Sequence, residues 1–237
     1  MMDEYKNGFV EFKNVYKSFD DKVILENISF RINRGKIIGL LGKNGMGKTT
    51  IIKLLNGLLT PTSGEILINN LSPGVESKKI IAYLPERSYL DKSMSVNQIL
   101  TYFTDFYDNF NLDKALKLLK DLNLDHTQNL NKMSKGMLEK LRLVLCMSRD
   151  ADLYILDEPL GGVDPATRDY ILDTILNNFK DGASILISTH LISDIERILD
   201  DVIFIDKGKV IISESADELR SKYHESIDEI FRRMFKC

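Results

Sequence analysis

One short segment constrains the fold of this chain more than any other feature of its sequence. Residues 42–49 read Gly-Lys-Asn-Gly-Met-Gly-Lys-Thr, which matches the pattern G-x-x-x-x-G-K-[ST] in full. The apolar run at 37–41 has the length of a buried strand, and residues 50–55 have the pattern of a helix. This order of strand, glycine-rich loop and helix is the context in which the pattern forms a loop around phosphate groups.

The loop predicts a site for a nucleoside triphosphate. Glycines lack a Cβ, so successive backbone N–H groups can curl around phosphate oxygens at the start of a helix. Lys48 is expected to reach the β- and γ-phosphates, and the Thr49 hydroxyl to ligate Mg²⁺. The predicted nucleotide-binding residues are Gly42, Lys43, Asn44, Gly45, Met46, Gly47, Lys48, Thr49 and Thr50. The flanking elements disfavour the alternative, a glycine-rich turn with a chance Lys-Thr pair.

Two acids end a second apolar run. Residues 153–156 are followed by Asp157 and Glu158. Carboxylates beside a core cost free energy unless they are compensated, and a bound Mg²⁺ would supply that compensation. We therefore predict that Asp157 holds Mg²⁺ across from Thr49 and that Glu158 is the general base for the attacking water. Without the phosphate loop, the same acids would be read as a solvated turn.

A histidine follows a third apolar run. Ser188, Thr189 and His190 come at the end of the strand-like segment 184–188. In a parallel sheet the carboxyl ends of the strands meet at the ligand crevice, so His190 is expected beside Glu158 and the γ-phosphate. A lone histidine is more often a structural residue, but its place at a strand end favours a catalytic role here.

The middle of the chain has a different pattern from the two ends. Residues 87–150 are predicted to be helical and free of strands, with Ser95 and Gln98 forming a capping box and Asn111 capping the next helix. Strand-like runs lie on both sides of this block. The sequence therefore predicts an α/β fold with a helical insertion.

Later helices also carry start signals. Asp164 followed by Pro165 predicts a helix start, as does Ser215 with Glu218. Residues 227–235 are spaced as an amphipathic helix, which either packs on the chain's own core or contacts another subunit.

Composition excludes several kinds of protein. The 237 residues contain 32 Lys+Arg and 35 Asp+Glu, for a net charge of −3, so a nucleic-acid partner is not expected. The cysteines Cys146 and Cys237 are too few for a disulfide framework, which favours a reducing compartment. No secretory signal and no apolar run of about 18 residues is evident.

Taken together, these residues resemble the ATP-binding cassette (ABC) ATPases over nearly the whole chain. The deciding segment is 133–137, Met-Ser-Lys-Gly-Met, which is similar to that family's signature motif, usually Leu-Ser-Gly-Gly-Gln. Ser134 and Gly136 match the motif. Met133, Lys135 and Met137 depart from it. The resemblance implies that Ser134 and Gly136 contact the γ-phosphate of ATP held by a second subunit; alone, Ser-x-Gly is more often a helix cap.

Other site residues follow from the same resemblance. Phe19 is expected to stack on adenine, and its alternative is a core position beside Tyr16. The loop 161–164 is expected to cross a dimer interface, with Asp164 near the nucleotide. Glu86 stands where the family usually has Gln, and it is predicted to lie on the Mg²⁺ side of the catalytic site. There it adds charge beside the other carboxylates.

The resemblance also implies the architecture. We expect an α/β P-loop NTPase (RecA-like) core with an N-terminal antiparallel β subdomain and an inserted α-helical subdomain. The expected division is a single ABC ATPase domain over 1–237. Residues 1–86 and 151–213 form the nucleotide-binding core, 87–150 the helical subdomain and 214–237 a C-terminal helical tail.

The implied function is that of an ATP-binding and ATP-hydrolysing subunit with ATP and Mg²⁺ as cofactors. It pairs with a second ABC ATPase subunit, identical or related, and powers integral-membrane permease subunits that dock near Glu86 and residues 88–102. The subfamily resembles bacterial exporters of drugs or peptides, which predicts a cytoplasmic location, peripheral on the inner face of the cell membrane. The alternatives are a soluble ABC-type ATPase in cofactor assembly or repair, and a small-molecule P-loop kinase.

Overall fold

The computed structural model describes residues 8–161 and 163–235, so Gly162 and Cys237 of the sequence predictions lie outside the described residues. The strands are β1 (Val10–Phe19), β2 (Lys22–Ile32), β3 (Ile37–Leu41), β4 (Ser63–Ile68), β5 (Ile81–Leu84), β6 (Leu153–Asp157), β7 (Ser184–Thr189), β8 (Asp201–Asp206) and β9 (Lys209–Ser215). The helices are α1 (Lys48–Leu55), α2 (Val75–Lys79), α3 (Val96–Phe106), α4 (Leu112–Asp121), α5 (Lys135–Met147), α6 (Pro165–Leu176), α7 (Ile192–Ile195), α8 (Ala216–Tyr223) and α9 (Ile227–Phe235). Short 3₁₀ turns lie at Leu130–Lys132 and Glu196–Ile198.

The strands form two sheets. The larger has six strands in the order β5-β6-β7-β3-β8-β9, parallel except for β9, which runs antiparallel to β8. The smaller has three antiparallel strands in the order β2-β1-β4. The Glu26 backbone N–H donates to the Gly208 carbonyl at 2.8 Å and so joins β2 to the β8–β9 turn. This arrangement agrees with the expected α/β core and antiparallel β subdomain.

Two apolar clusters cover the two faces of the larger sheet. Ile155 and Leu186 belong to the cluster shared with α1 and the smaller sheet. Their strand neighbours Tyr154 and Ile187 belong to the cluster shared with α3–α9. Alternation along a strand sends successive side chains to opposite faces, so strands buried on both sides read as unbroken apolar runs.

The predicted helix starts are mostly confirmed. Ser95 and Gln98 exchange both hydrogen bonds of a capping box at the start of α3. The Asn111 side chain accepts from Lys114 N at 2.9 Å, and the Asp164 side chain accepts from Thr167 N at 3.1 Å. Between 87 and 150, all of it described, the chain forms helices, with strand pairing limited to isolated bridges.

The predicted capping of α8 by the Ser215 side chain is wrong. The helix does begin at Ala216, but the Ser215 hydroxyl makes no capping hydrogen bond. Ser215 is still paired with Asp201 at the end of β9, so the strand sets the direction of its side chain. Across 8–161 and 163–235, no helix has both the length and the apolar character that crossing a membrane requires.

The amphipathic helix α9 packs on the chain's own core. Ile227, Ile230 and Phe231 are buried, and the ring of Phe231 lies 5.5 Å from that of Phe204 in β8. Met234 stays 38% exposed. This supports the core-packing alternative for the C-terminal helix.

Shortening Phe231 is expected to destabilise the protein. Phe231→Ala removes a ring packed against Phe204 and should lower the free energy of unfolding by about 3–5 kcal/mol. Met234→Ala, on the same helix but exposed, should cost less than about 1 kcal/mol. Urea unfolding of the two variants measures both values. Equal effects would show that α9 is not docked through Phe231.

Candidate active site

The phosphate loop lies between β3 and α1 and is closed by its own lysine. Lys48 is 6% exposed, and its Nζ donates to the Gly42 carbonyl at 2.6 Å and the Lys43 carbonyl at 3.3 Å. Burial lowers the pKa of Lys48, while the nearby carboxylates Glu158, Asp157 and Glu86 act in the opposite sense. The ammonium is therefore fixed at the start of α1, where the helix N-terminus favours anions.

Two glycines of this loop cannot be replaced without moving their neighbours. A Cβ on Gly47, whose φ is +107°, would lie 2.6 Å from Leu25 Cδ2. A Cβ on Gly42 would lie 2.5 Å from the Ile205 carbonyl oxygen on β8. The first position needs a left-handed conformation and the second a close approach between strands, so the pattern's glycines follow from packing as well as from phosphate binding.

The loop opens into a cavity of about 570 Å³. Glu86, Glu158 and His190 reach it from the carboxyl ends of β5, β6 and β7, respectively. The other lining residues are Ile24, Asn44, Gly45, Gly47, Lys48, Thr49, Thr50, Lys135, Glu139, Gly161 and Ser188. Most of the predicted loop residues and three predicted catalytic residues thus lie around one space large enough for a small ligand.

Asp157 is a buried carboxylate beside this cavity. It is 2% exposed, and neither side-chain oxygen meets a hydrogen-bond partner at ordinary distance among the described residues. Burial raises the pKa of Asp157 to about 6; the Ser188 hydroxyl acts against the rise, and the charges of Glu86 and Glu158 add to it. A buried carboxylate of this kind, close to the charges of Glu86 and Glu158, fits an oxygen-preferring divalent cation such as Mg²⁺.

Glu158 is held from one side by the end of β7. Its Oε2 lies 3.0 Å from His190 Nδ1 and 3.2 Å from Thr189 Oγ1, whereas Oε1 makes no hydrogen bond to a described residue. The Glu158 backbone has a φ of +52°, and its carbonyl accepts from Gly161 N at 3.0 Å. This turn brings His190 beside Glu158, as predicted. The arrangement leaves one carboxylate oxygen able to accept a proton from water.

Phe19 lies outside the lining of the cavity. Its ring is 44% exposed at the end of β1, with Lys17 Nζ 4.7 Å from the ring centroid, so the alternative of a core phenylalanine is wrong. Ile24 on the paired strand β2 lines the cavity instead.

The signature-like segment also lies outside the lining, apart from Lys135. The Ser134 side chain caps α5 by accepting from Met137 N at 3.2 Å. Gly136 has open space where a Cβ would be. Asp164 is exposed and caps α6. These three residues are therefore available to a surface beyond this chain's own cavity.

Sequence reasoning missed the roles of four residues. Lys135 and Glu139, one turn apart on α5, line the cavity, and Lys135 had been noted only as a departure from the signature pattern. The Thr189 hydroxyl donates a hydrogen bond to Glu158 Oε2 and accepts one from the Leu191 N–H. Lys43, expected at phosphate, donates to the Phe235 carbonyl at the end of α9 at 2.8 Å. The contacts from Thr189 to Glu158 and from Lys43 to Phe235 have no local sequence signal, because each joins distant segments.

The fold and the loop define a P-loop nucleoside triphosphatase, and comparison with known proteins identifies its family. Residues 25–161 match the ABC transporter family. The chain is 30% identical over 221 residues to the ABC transporter ATP-binding protein YtrB of Bacillus subtilis, covering 90% of this chain and 74% of YtrB. It is 31% identical over 208 residues to the SkfA peptide export ATP-binding protein SkfE of the same organism, covering 85% and 87%.

A solved structure agrees with this assignment. The ATP-binding subunit of an ABC transporter superposes with a TM-score of 0.87 at 28% identity, over 96% of this chain and 99% of that one. The chain belongs to the ABC transporter family and is an ATP-binding subunit that hydrolyses ATP for transport. The resemblance stated from sequence is confirmed, and so is the fold class.

Neutralising Asp157 is expected to stabilise the nucleotide-free protein at alkaline pH. The raised pKa of Asp157 means that its charged form opposes folding, and this cost appears as the pH rises from about 4 through the folded-state value of about 6. Asp157→Asn should raise the free energy of unfolding at pH 8 by about 1–3 kcal/mol, with a smaller gain at pH 5 and none below about pH 4.

Urea unfolding at the three pH values tests this, with Asp217→Asn on the exposed surface of α8 as a control that should change little. A loss of stability in Asp157→Asn at pH 8 would show that the carboxylate is already compensated within the protein.

Proposed function

We propose that two ABC subunits, this chain and an identical or related one, close around ATP, and that their hydrolysis of it drives permease subunits exporting peptides or drugs. The observation that most supports the hydrolytic assignment is the 3.0 Å contact between His190 Nδ1 and Glu158 Oε2 on the wall of the phosphate-loop cavity. A base oriented in this way beside a phosphate loop suits attack by water on the γ-phosphate.

The predicted site residues in and beside the cavity each have a proposed task. Glu158 takes the proton of the attacking water through Oε1. His190 orients the Glu158 carboxylate through Oε2. Lys48 and the N–H groups of the loop hold the β- and γ-phosphates. Mg²⁺, when bound, would neutralise charge on the triphosphate oxygens, and Asp157, Thr49 and Glu86 would hold it. Phe19, exposed at the end of β1, is free to contact the adenine ring.

The proposed partner subunit supplies the remaining contacts to each ATP. Ser134, Gly136 and Asp164 are exposed, and α5 is 13 residues long, so its N-terminus presents a partial positive charge to an anion. We infer that these residues face the ATP bound by the second subunit. In that position the Ser134 hydroxyl can donate to the γ-phosphate while it accepts from Met137 N.

A second surface suits the permease. A groove of about 590 Å³ lies between the core and α3, with an apolar wall that includes Tyr89, Phe103, Phe106 and Tyr107. Phe106 is 64% exposed and stacks on Tyr102 with ring centroids 5.8 Å apart. Exposed aromatic clusters of this kind mark protein contacts.

The chemistry of the groove describes its occupant. Lys53, Lys78 and Arg87 also line it, so a short segment with apolar side chains and an acidic group would complement it. Pro85 lines the groove and the adjoining Glu86 lines the ATP cavity, which puts the two spaces on either side of one peptide bond. Docking of a membrane subunit here would hold the chain peripherally on the inner face of the membrane. Export is inferred from SkfE, named for peptide export.

Replacing the proposed base is expected to separate ATP binding from hydrolysis. Glu158→Gln keeps the hydrogen-bonding shape but loses basicity, so turnover should fall about 10²–10⁴-fold while ATP binding persists and dimer accumulates. Phosphate release, calorimetry and light scattering measure the three quantities.

Two comparison variants sharpen this experiment. Lys48→Ala should lose ATP binding, and Glu76→Gln, on the exposed face of α2, should behave as the parent protein. Monomeric Glu158→Gln protein with unchanged turnover would contradict the assignment of the base.

A charge in the groove is expected to abolish permease docking without affecting nucleotide binding. Phe106→Asp removes an exposed aromatic of the groove wall, and association with the membrane permease that co-purifies with this chain should fall at least about tenfold. Tyr170→Asp, at an aromatic residue of α6 that is 40% exposed and lies outside the groove lining, is the control. Equal binding of both variants to the purified permease would exclude the groove. Absence of binding by the parent protein would favour a soluble ABC-type ATPase instead.

A further inference from the structure

We propose that Arg142 is a positioning residue that ties the Glu86 loop (residues 85–95, between β5 and α3) to helix α5. The proposal rests on the role assigned to Glu86 above. Arg142 lies in the third turn of α5 and is 2% exposed, which places it among the largest fully buried side chains of the described chain. A guanidinium stays charged and is rarely buried this deeply, so its position calls for a function.

The guanidinium makes contacts in two directions. Nη2 donates to the Pro85 carbonyl, which belongs to the peptide bond leading into Glu86. Nη1 donates to the carboxylate of Glu139, one turn earlier on α5. Both Glu86 and Glu139 line the ATP cavity. Arg142 thus links two carboxylates of the cavity wall from behind, through one backbone carbonyl and one ion pair.

Stability does not account for this arrangement. Arg142 pairs with a single carboxylate, and its Nε has no hydrogen-bond partner among the residues described. A buried charge with an unsatisfied donor is costly, and an apolar side chain of similar volume is often as stable or more so. What an apolar residue cannot do is hold the Pro85 carbonyl, so the contact that distinguishes arginine at this position is the one to the Glu86 loop.

Arg142 connects the signature-like segment, the ATP cavity and the groove proposed for the permease. The N-terminus of α5 carries Ser134 and Gly136, and its first turn brings Lys135 to the cavity. Pro85 lines the groove proposed for the permease. Because α5 is a rigid element, a movement of its N-terminus or of the groove is transmitted through Arg142 to Glu86, whose charge acts on Lys48 and Asp157.

Arg149 provides a matched comparison on the same segment. It is 5% exposed, its guanidinium donates to the Ile81 carbonyl at 2.5 Å, and it lies 3.8 Å from the Tyr107 ring centroid. Arg149 therefore holds the first residue of β5, whereas Arg142 holds the residue after its last. The two buried arginines thus hold opposite ends of β5, and of the two Arg142 is the one that touches the Glu86 loop.

Limited trypsin digestion of the nucleotide-free protein measures the position of the loop directly. Arg87 is exposed in that loop and is a trypsin site. Cleavage after Arg87 should become about tenfold faster in Arg142→Gln and Arg142→Lys, because the loop opens locally more often. In Arg149→Lys the rate should stay within about twofold of the parent at a temperature where all variants are folded.

A second measurement connects the loop to the metal side of the site. The Mg²⁺ concentration at half-maximal ATP binding, followed by calorimetry, should rise about three- to tenfold in Arg142→Gln and remain unchanged in Arg149→Lys. In the background of Glu86→Gln, the Arg142 substitution should add no further shift.

The outcomes separate the two levels of the proposal. Equal acceleration of cleavage in the Arg142 and Arg149 variants would reduce Arg142 to a structural residue and overturn the inference. A different outcome is that cleavage is faster in the Arg142 variants alone while Glu86→Gln leaves the Mg²⁺ concentration at half-maximal ATP binding equal to that of the parent protein. That outcome would support the positioning of the loop and reject the role given to Glu86.

Discussion

Parallel pairing of β6, β7 and β3 is the constraint on which the rest of the structure depends. Asp157 pairs with Ser188, and Leu41, which precedes the phosphate loop, pairs with Thr189. The loop, the two acids and the histidine therefore reach one edge of the sheet within a residue of each other along the strand direction. A slip of one residue in any pairing would turn the side chains of that strand to the opposite face and separate the base from its histidine.

That edge could be predicted because its signals are local. The phosphate-loop pattern, the acids after an apolar run and the histidine after another each mark the end of a strand, and the crevice rule for parallel sheets brings such ends together. The caps at Ser95, Asn111 and Asp164 were equally local, since each side chain bonds a backbone N–H three residues away. Ser215 has the same sequence signal but its side chain does not cap the helix, because the pairing of β9 with β8 takes precedence over the cap.

The remainder of the site depends on contacts between segments far apart in sequence. Phe19 and Ile24 lie on paired strands, and only the turn between β1 and β2 decides which of them borders the cavity. Lys135 and Glu139 look like ordinary polar residues of a helix until α5 is packed against the core. Arg142 looks even less informative in the sequence, because its partner, Pro85, lies 57 positions earlier in the chain. No periodicity or motif encodes such pairs, which arise from packing of the helical segment on β5.

The balance of charge in the cavity explains why this packing matters. Lys48 is the buried cation that faces Asp157, Glu86 and Glu158, and these three carboxylates outnumber it where a polyanion has to bind. Backbone N–H groups and a divalent cation can reverse that balance, but only if the carboxylates converge on the cation and not on the phosphates. Glu86 is the carboxylate carried by an exposed loop, whereas Asp157 is fixed by a central strand. Glutamate at this position therefore requires a firmer hold on its loop than a neutral side chain would, and a buried guanidinium bound to the preceding carbonyl supplies that hold.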